Sequence, residues 1–203
     1  MRAAVLFGPK DLRVEHVPEP EGEVIVEIEA ATTCGTDTKM WRYGHRILAP
    51  YPCHFGHETA GVRMDTGERV LVSDSVACGQ CALCLGGRAQ ICLAPTWVLG
   101  GFAERIAAPE AALHSIPHDL PPEAAAMAEP LAAAVHAVRR ASGADAADVA
   151  VVGGGPMGLM LTSLLVAQGR NVTLADRHAE RRAQAEQLGA TAPEEHLTTR
   201  HEL

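Results

Sequence analysis

The chain has 203 residues, enough for one large domain or two small ones with a buried core. Hydrophobic residues make up 47% and charged residues 21%, the balance of a globular protein, and a net charge of −8 with no basic stripe argues against nucleic acid as a partner. No apolar run approaches the roughly 18 residues of a membrane span and the N-terminus lacks the apolar stretch of a signal peptide, so six cysteines point to metal or catalysis in a cytoplasmic protein rather than to disulfides.

The N-terminal segments "AAVLF" (3–7), "LRVEHV" (12–17) and "GEVIVEIEAA" (22–31) read as strands, from their alternation and the Gly and Pro residues between them. "GERVLVS" (67–73) and "GGFAERIAAP" (100–109) add two more, so the first 110 or so residues are expected to be short strands and loops in a small barrel or sandwich. The composition then shifts. Residues 121–143 are Ala-rich and helical, with Pro121 and Pro122 at the start and Gly143 as C-cap, and Pro130 is expected to break the helix near Glu129. Residues 148–169 read as a buried strand, a glycine turn and an apolar helix. "NVTLADR" (171–177) is a second strand, and 178–190 a second helix capped by Gly189. Strand–helix–strand–helix opens a parallel α/β sheet, and the polar tail 192–203 looks loosely structured.

Four cysteines, Cys78, Cys81, Cys84 and Cys92, follow the spacing C-x2-C-x2-C-x7-C. Thiolates so spaced reach one metal from a tight loop, and four of them leave no position open for substrate, which makes a structural zinc site the reading. Two disulfides or an iron–sulfur cluster are the rivals, since sulfur ligation alone does not choose. A second, mixed set is offered by "CGTD" (34–37) and "FGHETAG" (55–61): Cys34 and His57 with a carboxylate, Glu58, can hold a zinc that keeps a position open. Glu129 in "AEPLA" (128–132) is either a further ligand or a helix-end surface residue. Cys53 reads as a buried thiol, His45 as a loop histidine and His136 as helix packing, while His54, just before the motif, is set aside as a decoy.

"VVGGGPMG" (151–158) holds G-x-G-x-x-G as Gly153, Gly155 and Gly158, with Pro156 and Met157 opening the helix. It lies between a strand and a helix and precedes a strand ending in Asp176, the context of a dinucleotide-binding turn. Asp176 would take the ribose 2′-OH and favour NAD over NADP; the adjacent Arg177 weakens that inference.

The ordered set "CGTD", "GHETAG", "GERVLV", the four-cysteine lobe, "GGFAE", "AEPLA" and the glycine turn resembles the zinc-dependent medium-chain dehydrogenases of the alcohol dehydrogenase superfamily, and is most similar to the sorbitol (iditol) and threonine dehydrogenase branch. The resemblance covers the chain to about Gly189. It implies a fold of class α/β plus β: a GroES-like β-barrel catalytic domain over residues 1–120, followed by a Rossmann domain over 121–203. It also implies Cys34, His57 and Glu129 as catalytic-zinc ligands, Glu58 exchanging with water, Thr36 as a proton-relay hydroxyl and Asp37 orienting His57. The partners so implied are two zinc ions, one catalytic and one structural, NAD, a small alcohol or polyol, and further copies of the chain in a full-length homo-oligomer. A complete dinucleotide fold has six strands, and the sequence supplies two. The Rossmann part is therefore expected to be incomplete (βαβα only) and the chain truncated, which leaves open its activity in isolation. The rival function is a non-catalytic zinc-stabilised domain.

Overall fold

The computed structural model describes residues 1–48, 50–141 and 147–194. In chain order the strands are β1 (Arg2–Gly8), β2 (Asp11–His16), β3 (Val24–Thr32), β4 (Cys53–His54), β5 (Glu58–Arg63), β6 (Arg69–Val72), β7 (Ser75–Val76), β8 (Thr96–Trp97), β9 (Arg105–Ala108), β10 (Leu113–Ser115), β11 (Asp148–Val152) and β12 (Asn171–Ala175). The α-helices are α1 (Gly35–Tyr43), α2 (Ala82–Leu85), α3 (Pro122–Ala126), α4 (Ala128–Ala141), α5 (Pro156–Ala167) and α6 (Ala179–Gln187). Two compact units result, Met1–Glu129 and Pro130–Leu203. Among the described residues no helix is long and apolar enough to cross a membrane.

The first unit is built on an antiparallel five-stranded sheet in the order β10–β6–β5–β3–β9 and a three-stranded sheet β2–β1–β4. Period-two alternation sets the inner face. Val24 and Val26 are buried with Val70, Val72, Ile106 and Ala108, whereas Glu27 and Glu29 of the same strand face out. β3 and β5 approach so closely at Gly61 that a Cβ there would lie 2.1 Å from the Glu27 carbonyl oxygen. That contact adjoins the register shift between Ile28 and Ala30, where only glycine lets the two backbones meet.

Three local expectations change. The first 110 residues are not all strands and loops, because "GTDTKMWRY" forms α1. Its helical signals are a C-x-x-D cap, in which Asp37 Oδ2 accepts the Cys34 N–H at 2.8 Å, and Gly44 beyond its end at φ +72°. One buried apolar position, Met40, ties it to Leu6, Leu48 and Phe55, too sparse an apolar stripe to register as periodicity. The helix break falls at Met127 rather than near Glu129. Pro130 is the third residue of α4, where its missing N–H is one of the unpartnered first-turn donors, so it begins the helix instead of ending one. Finally, α3 belongs with the first unit, where Ala125 and Ala126 are fully buried in a cluster with Ala60 of β5, beyond the expected boundary at residue 120. Gly143, the expected C-cap, and most of the tail 192–203 lie outside the described residues.

In the second unit β11 and β12 run parallel, Val149 opposite Val172 and Val151 opposite Leu174, with α5 as the crossover. Val151, Val172, Leu174 and Ala185 form its core. Gly189, at φ +93°, ends α6 as expected. The outer side of β11, with Val152 87% exposed, and α5 line an open apolar cavity of about 580 Å³.

Candidate functional site

The four-cysteine lobe closes on itself. Its sulfurs lie 3.5 Å (Cys81–Cys84), 3.9 Å (Cys81–Cys92) and 4.0 Å (Cys78–Cys84) apart. A tetrahedral zinc with Zn–S near 2.3 Å has S···S edges of about 3.8 Å, so the lobe already has the dimensions of a metal cage. An S–S bond is about 2.05 Å, and all six cysteines are free thiols, which leaves no place for the disulfide alternative. Backbone amides point at the sulfurs. Cys78 N–H and Ala94 N–H donate to Cys92 Sγ at 3.2 and 3.4 Å, and amides of Leu93 and Cys84 hold the Cys81 thiol down to about 6. Cys92 is lowered by the same kind of contact, whereas burial and the neighbouring thiols push Cys84 up to about 12.

The mixed site is assembled by strand pairing. Thr32, the last residue of β3, lies opposite Glu58, the first of β5. This register brings Cys34, at the N-cap of α1, beside His57 and Glu58, and the ligand atoms of all three lie within 4.8 Å of one another. Asp37 joins the parts. One carboxylate oxygen accepts the Cys34 amide, and the other sits 3.1 Å from His57 Nδ1, close in distance although poorly aligned as a hydrogen bond. With Nδ1 beside Asp37, Nε2 is the nitrogen left to ligate, the arrangement a metal-bound imidazole needs. The close Asp37 carboxylate, opposed by burial, raises the His57 pKa to about 9.

Glu58 is 3% exposed, hydrogen-bonded to the Thr32 hydroxyl, and has no Lys or Arg partner among the described residues. A buried carboxylate beside a thiol and a histidine calls for a cation, and this donor set suits one. Glu129 stands outside the 4.8 Å group. Its charge nevertheless acts on His57, and burial, opposed by the charge of His57 and reinforced by Asp74, Glu58 and Asp37, leaves its own carboxyl raised. Its place in the first turn of α4 thus faces the site, not solvent alone. Thr36 is exposed on the first turn of α1. Cys53 packs in the Leu6–Phe55 cluster, with Sγ 3.8 Å from the Leu6 carbonyl, and burial raises its pKa. His45 accepts the Ile47 amide in its own loop. Sequence reading missed Thr32 and Asp74, the latter contributing to the raised pKa of Glu129. Neither has a motif, and only strand pairing and packing bring them near.

The glycine turn is organised by contact. A Cβ at Gly158 would lie 1.8 Å from the Gly153 carbonyl oxygen, so α5 packs against the turn only with glycine there. Gly153 itself sits at φ +97°. At Gly155, the N-cap of α5, nothing lies within 4 Å of a Cβ position; the space over Pro156 and Met157 is open to a ligand approaching the helix N-terminus. Asp176 faces this turn, its Oδ2 accepting the Gly154 amide at 2.6 Å and Oδ1 that of His178 at 2.8 Å. Arg177 is exposed.

The amides of His178 and then Gly154 hold the Asp176 carboxyl at about 2, below its ordinary 3.8. The folded value is the lower one. Ionised Asp176 therefore contributes stability that is present above about pH 4 and lost as pH falls through 2. Asp176→Asn should be less stable than the parent at neutral pH, and the gap should close on acidification across that window. Denaturant melts at a series of pH values measure it; a gap that does not change with pH would refute this role.

The chain matches the family description "Alcohol dehydrogenase GroES-like domain" over residues 20–118. Residues 146–190 match "FAD binding domain". That stretch is the glycine-turn unit, whose fingerprint serves flavin and nicotinamide dinucleotides alike. The chain is 34% identical to L-galactonate-5-dehydrogenase of Escherichia coli, covering 100% of this chain and 60% of the relative. It is 35% identical to L-threonine 3-dehydrogenase of Chelativorans sp., covering 98% and 64%. It thus spans about three fifths of the length of these relatives. Among solved structures it is similar to galactitol-1-phosphate dehydrogenase from Escherichia coli, with a TM-score of 0.86 and 28% identity over 98% of this chain and 62% of that one. An Escherichia coli alcohol dehydrogenase complexed with NADH matches with a TM-score of 0.84 and 30% identity over 98% and 63%. A zinc-binding dehydrogenase of Sinorhizobium meliloti bound to NADP matches with a TM-score of 0.85 and 31% identity over 94% and 60%. With a GroES-like sheet unit carrying both cysteine-containing clusters and a βαβα unit carrying the glycine turn, the chain belongs to the medium-chain dehydrogenase/reductase family of the alcohol dehydrogenase superfamily.

Proposed function

We propose that these residues belong to an oxidoreductase that transfers a hydride between a polyol or secondary alcohol and NAD. The observation that carries this reading is the convergence of Cys34, His57 and Glu58 within 4.8 Å, buttressed by Asp37 and faced by Glu129. Cys34, His57 and Glu129 would hold a zinc ion, Glu58 exchanging with water. Zinc there supplies a Lewis acid that lowers the pKa of an alcohol oxygen. Asp37 fixes the His57 ring, and the Thr36 hydroxyl, on the exposed first turn of α1, hands the alcohol proton toward solvent. Cys78, Cys81, Cys84 and Cys92 would hold a second zinc with no position open. Gly153, Gly155, Pro156, Met157 and Gly158 would receive the pyrophosphate, and Asp176 with Arg177 the adenosine ribose. The first unit, Met1–Glu129, would serve as the catalytic domain and the second as part of the cofactor domain.

A threonine or amino-alcohol substrate is the second reading, favoured by the identity to L-threonine 3-dehydrogenase. The enzyme would work as a homo-oligomer in the cytoplasm, a compartment that keeps cysteine thiols reduced. A panel of polyols, secondary alcohols and L-threonine, assayed with NAD and the full-length protein, separates the two. Turnover of polyols that stops on chelation and returns with zinc supports the first reading. Turnover of L-threonine alone selects the second, and no turnover of any member removes both.

A further inference from the structure

An acid closing the second strand of a dinucleotide fold ordinarily does two things: it accepts the ribose 2′-OH, and its charge repels a 2′-phosphate. Asp176 is placed to do the second poorly. Its side chain is only 6% exposed, both oxygens accept backbone amides, and Arg181 Nη1 lies 3.4 Å from Oδ2. The carboxylate is turned into the glycine turn, and a guanidinium already balances it.

Three arginines surround this corner, and they divide by direction. Arg182 is structural: it is 9% exposed, its Nη1 donates to the Asp176 carbonyl oxygen at 2.9 Å and its Nη2 faces Glu194 at 3.7 Å. Arg181 stands over the turn, its Cβ only 2.9 Å from where a Cβ on Gly154 would sit, with its side chain 44% exposed. Arg177 is exposed and donates Nε to His178 Nε2 at 3.1 Å; among the described residues no carboxylate pairs with it. The rim of the ribose corner therefore carries two guanidinium groups against one carboxylate. Guanidinium forks match phosphate oxygens bidentately, and a phosphate monoester brings −1.5 to −2 charge to meet them.

Resting on the cofactor reading above, we propose that Arg177 and Arg181 form a recognition site for the 2′-phosphate of NADP(H), so that this chain accepts both nicotinamide cofactors. Asp176 takes the ribose hydroxyl of NAD. Arg181, drawn off Asp176, and Arg177 take the phosphate of NADP.

Calorimetric titration of the protein with 5′-AMP and with adenosine 2′,5′-bisphosphate isolates the adenosine corner from hydride transfer. The bisphosphate is expected to bind within about tenfold of AMP or more tightly. Arg181→Ala and Arg177→Ala should each weaken the bisphosphate by about tenfold, the loss of a charge-assisted contact, while leaving AMP within about twofold. A parent protein that binds the bisphosphate more than about a hundredfold more weakly than AMP overturns the proposal without any variant being made. So do variants that weaken both nucleotides equally. In either case AMP binding leaves the cofactor reading standing. Binding of neither nucleotide removes that reading, and the proposal with it.

Discussion

Cys34→Ala is expected to release one of two zinc equivalents and to reduce alcohol oxidation by well over a hundredfold, with the other equivalent retained. Replacing the groups that merely orient metal ligands typically costs about 10–100-fold in metal affinity or activity, and Cys34 is itself proposed as a ligand. Its sulfur shares a 4.8 Å neighbourhood with His57 and Glu58, and without it only the imidazole and one buried carboxylate of that group remain to hold the ion. The four-cysteine lobe is separate in sequence and closed by its own four sulfurs, so its zinc should stay. Asp37→Asn should fall in the 10–100-fold range, because an amide still accepts the Cys34 N–H but no longer draws His57 Nδ1 by charge. Metal content by elemental analysis, beside activity of the full-length protein, measures both. A single zinc per chain, indifferent to Cys34→Ala, would sink the assignment of this site and favour a zinc-stabilised domain without catalysis.

Gly158→Val should be the most damaging change in the second unit. A Cβ placed at 1.8 Å from the Gly153 carbonyl oxygen meets backbone, which cannot swing away as a side-chain tip can. Relief requires α5 to lift from the turn, uncovering Val151 and the neighbouring core. We expect a loss of about 3 kcal/mol, at the upper end of overpacking, together with loss of nucleotide binding. Gly155→Ala is the companion measurement. Nothing lies within 4 Å of a Cβ there, and its φ of −71° suits any residue, so the variant should fold as the parent does. Its methyl group would nevertheless occupy the space proposed for the pyrophosphate and weaken nucleotide binding. Thermal melts and nucleotide titration distinguish the two. Equal melting temperatures for Gly158→Val and the parent would contradict the packing role, and unchanged binding by Gly155→Ala would contradict the cradle.

Much of the molecule was legible in one dimension, for local reasons. Strands β1, β2, β3, β6 and β9 show apolar alternation or short apolar runs, and the glycine turn lies between a Val-rich strand and an apolar helix, so short windows sufficed. The four-cysteine lobe was legible too, because its ligands fall within fifteen residues and its geometry is that of one loop. α1 was missed because a helix with one buried apolar residue, Met40, shows no stripe. The position of the break between α3 and α4 was misread because a proline inside the first turn of a helix looks, in sequence, like one in its middle.

The sequence by itself determined the main strands, the βαβα run, the close spacing of four sulfurs and the glycine turn, since in each the interacting groups are neighbours in the chain. Only the tertiary structure decided which polar residues meet. The β3–β5 register sets Thr32 against Glu58 and carries Cys34 to His57 across 23 positions. The first turn of α4 brings the charge of Glu129 to bear on His57. The fold of α6 turns Arg182 inward and leaves Arg181 over the glycine turn. Adjacent arginines have the same composition and charge. Their roles differ because successive residues of a helix point about 100° apart, and only packing says which direction is the interior.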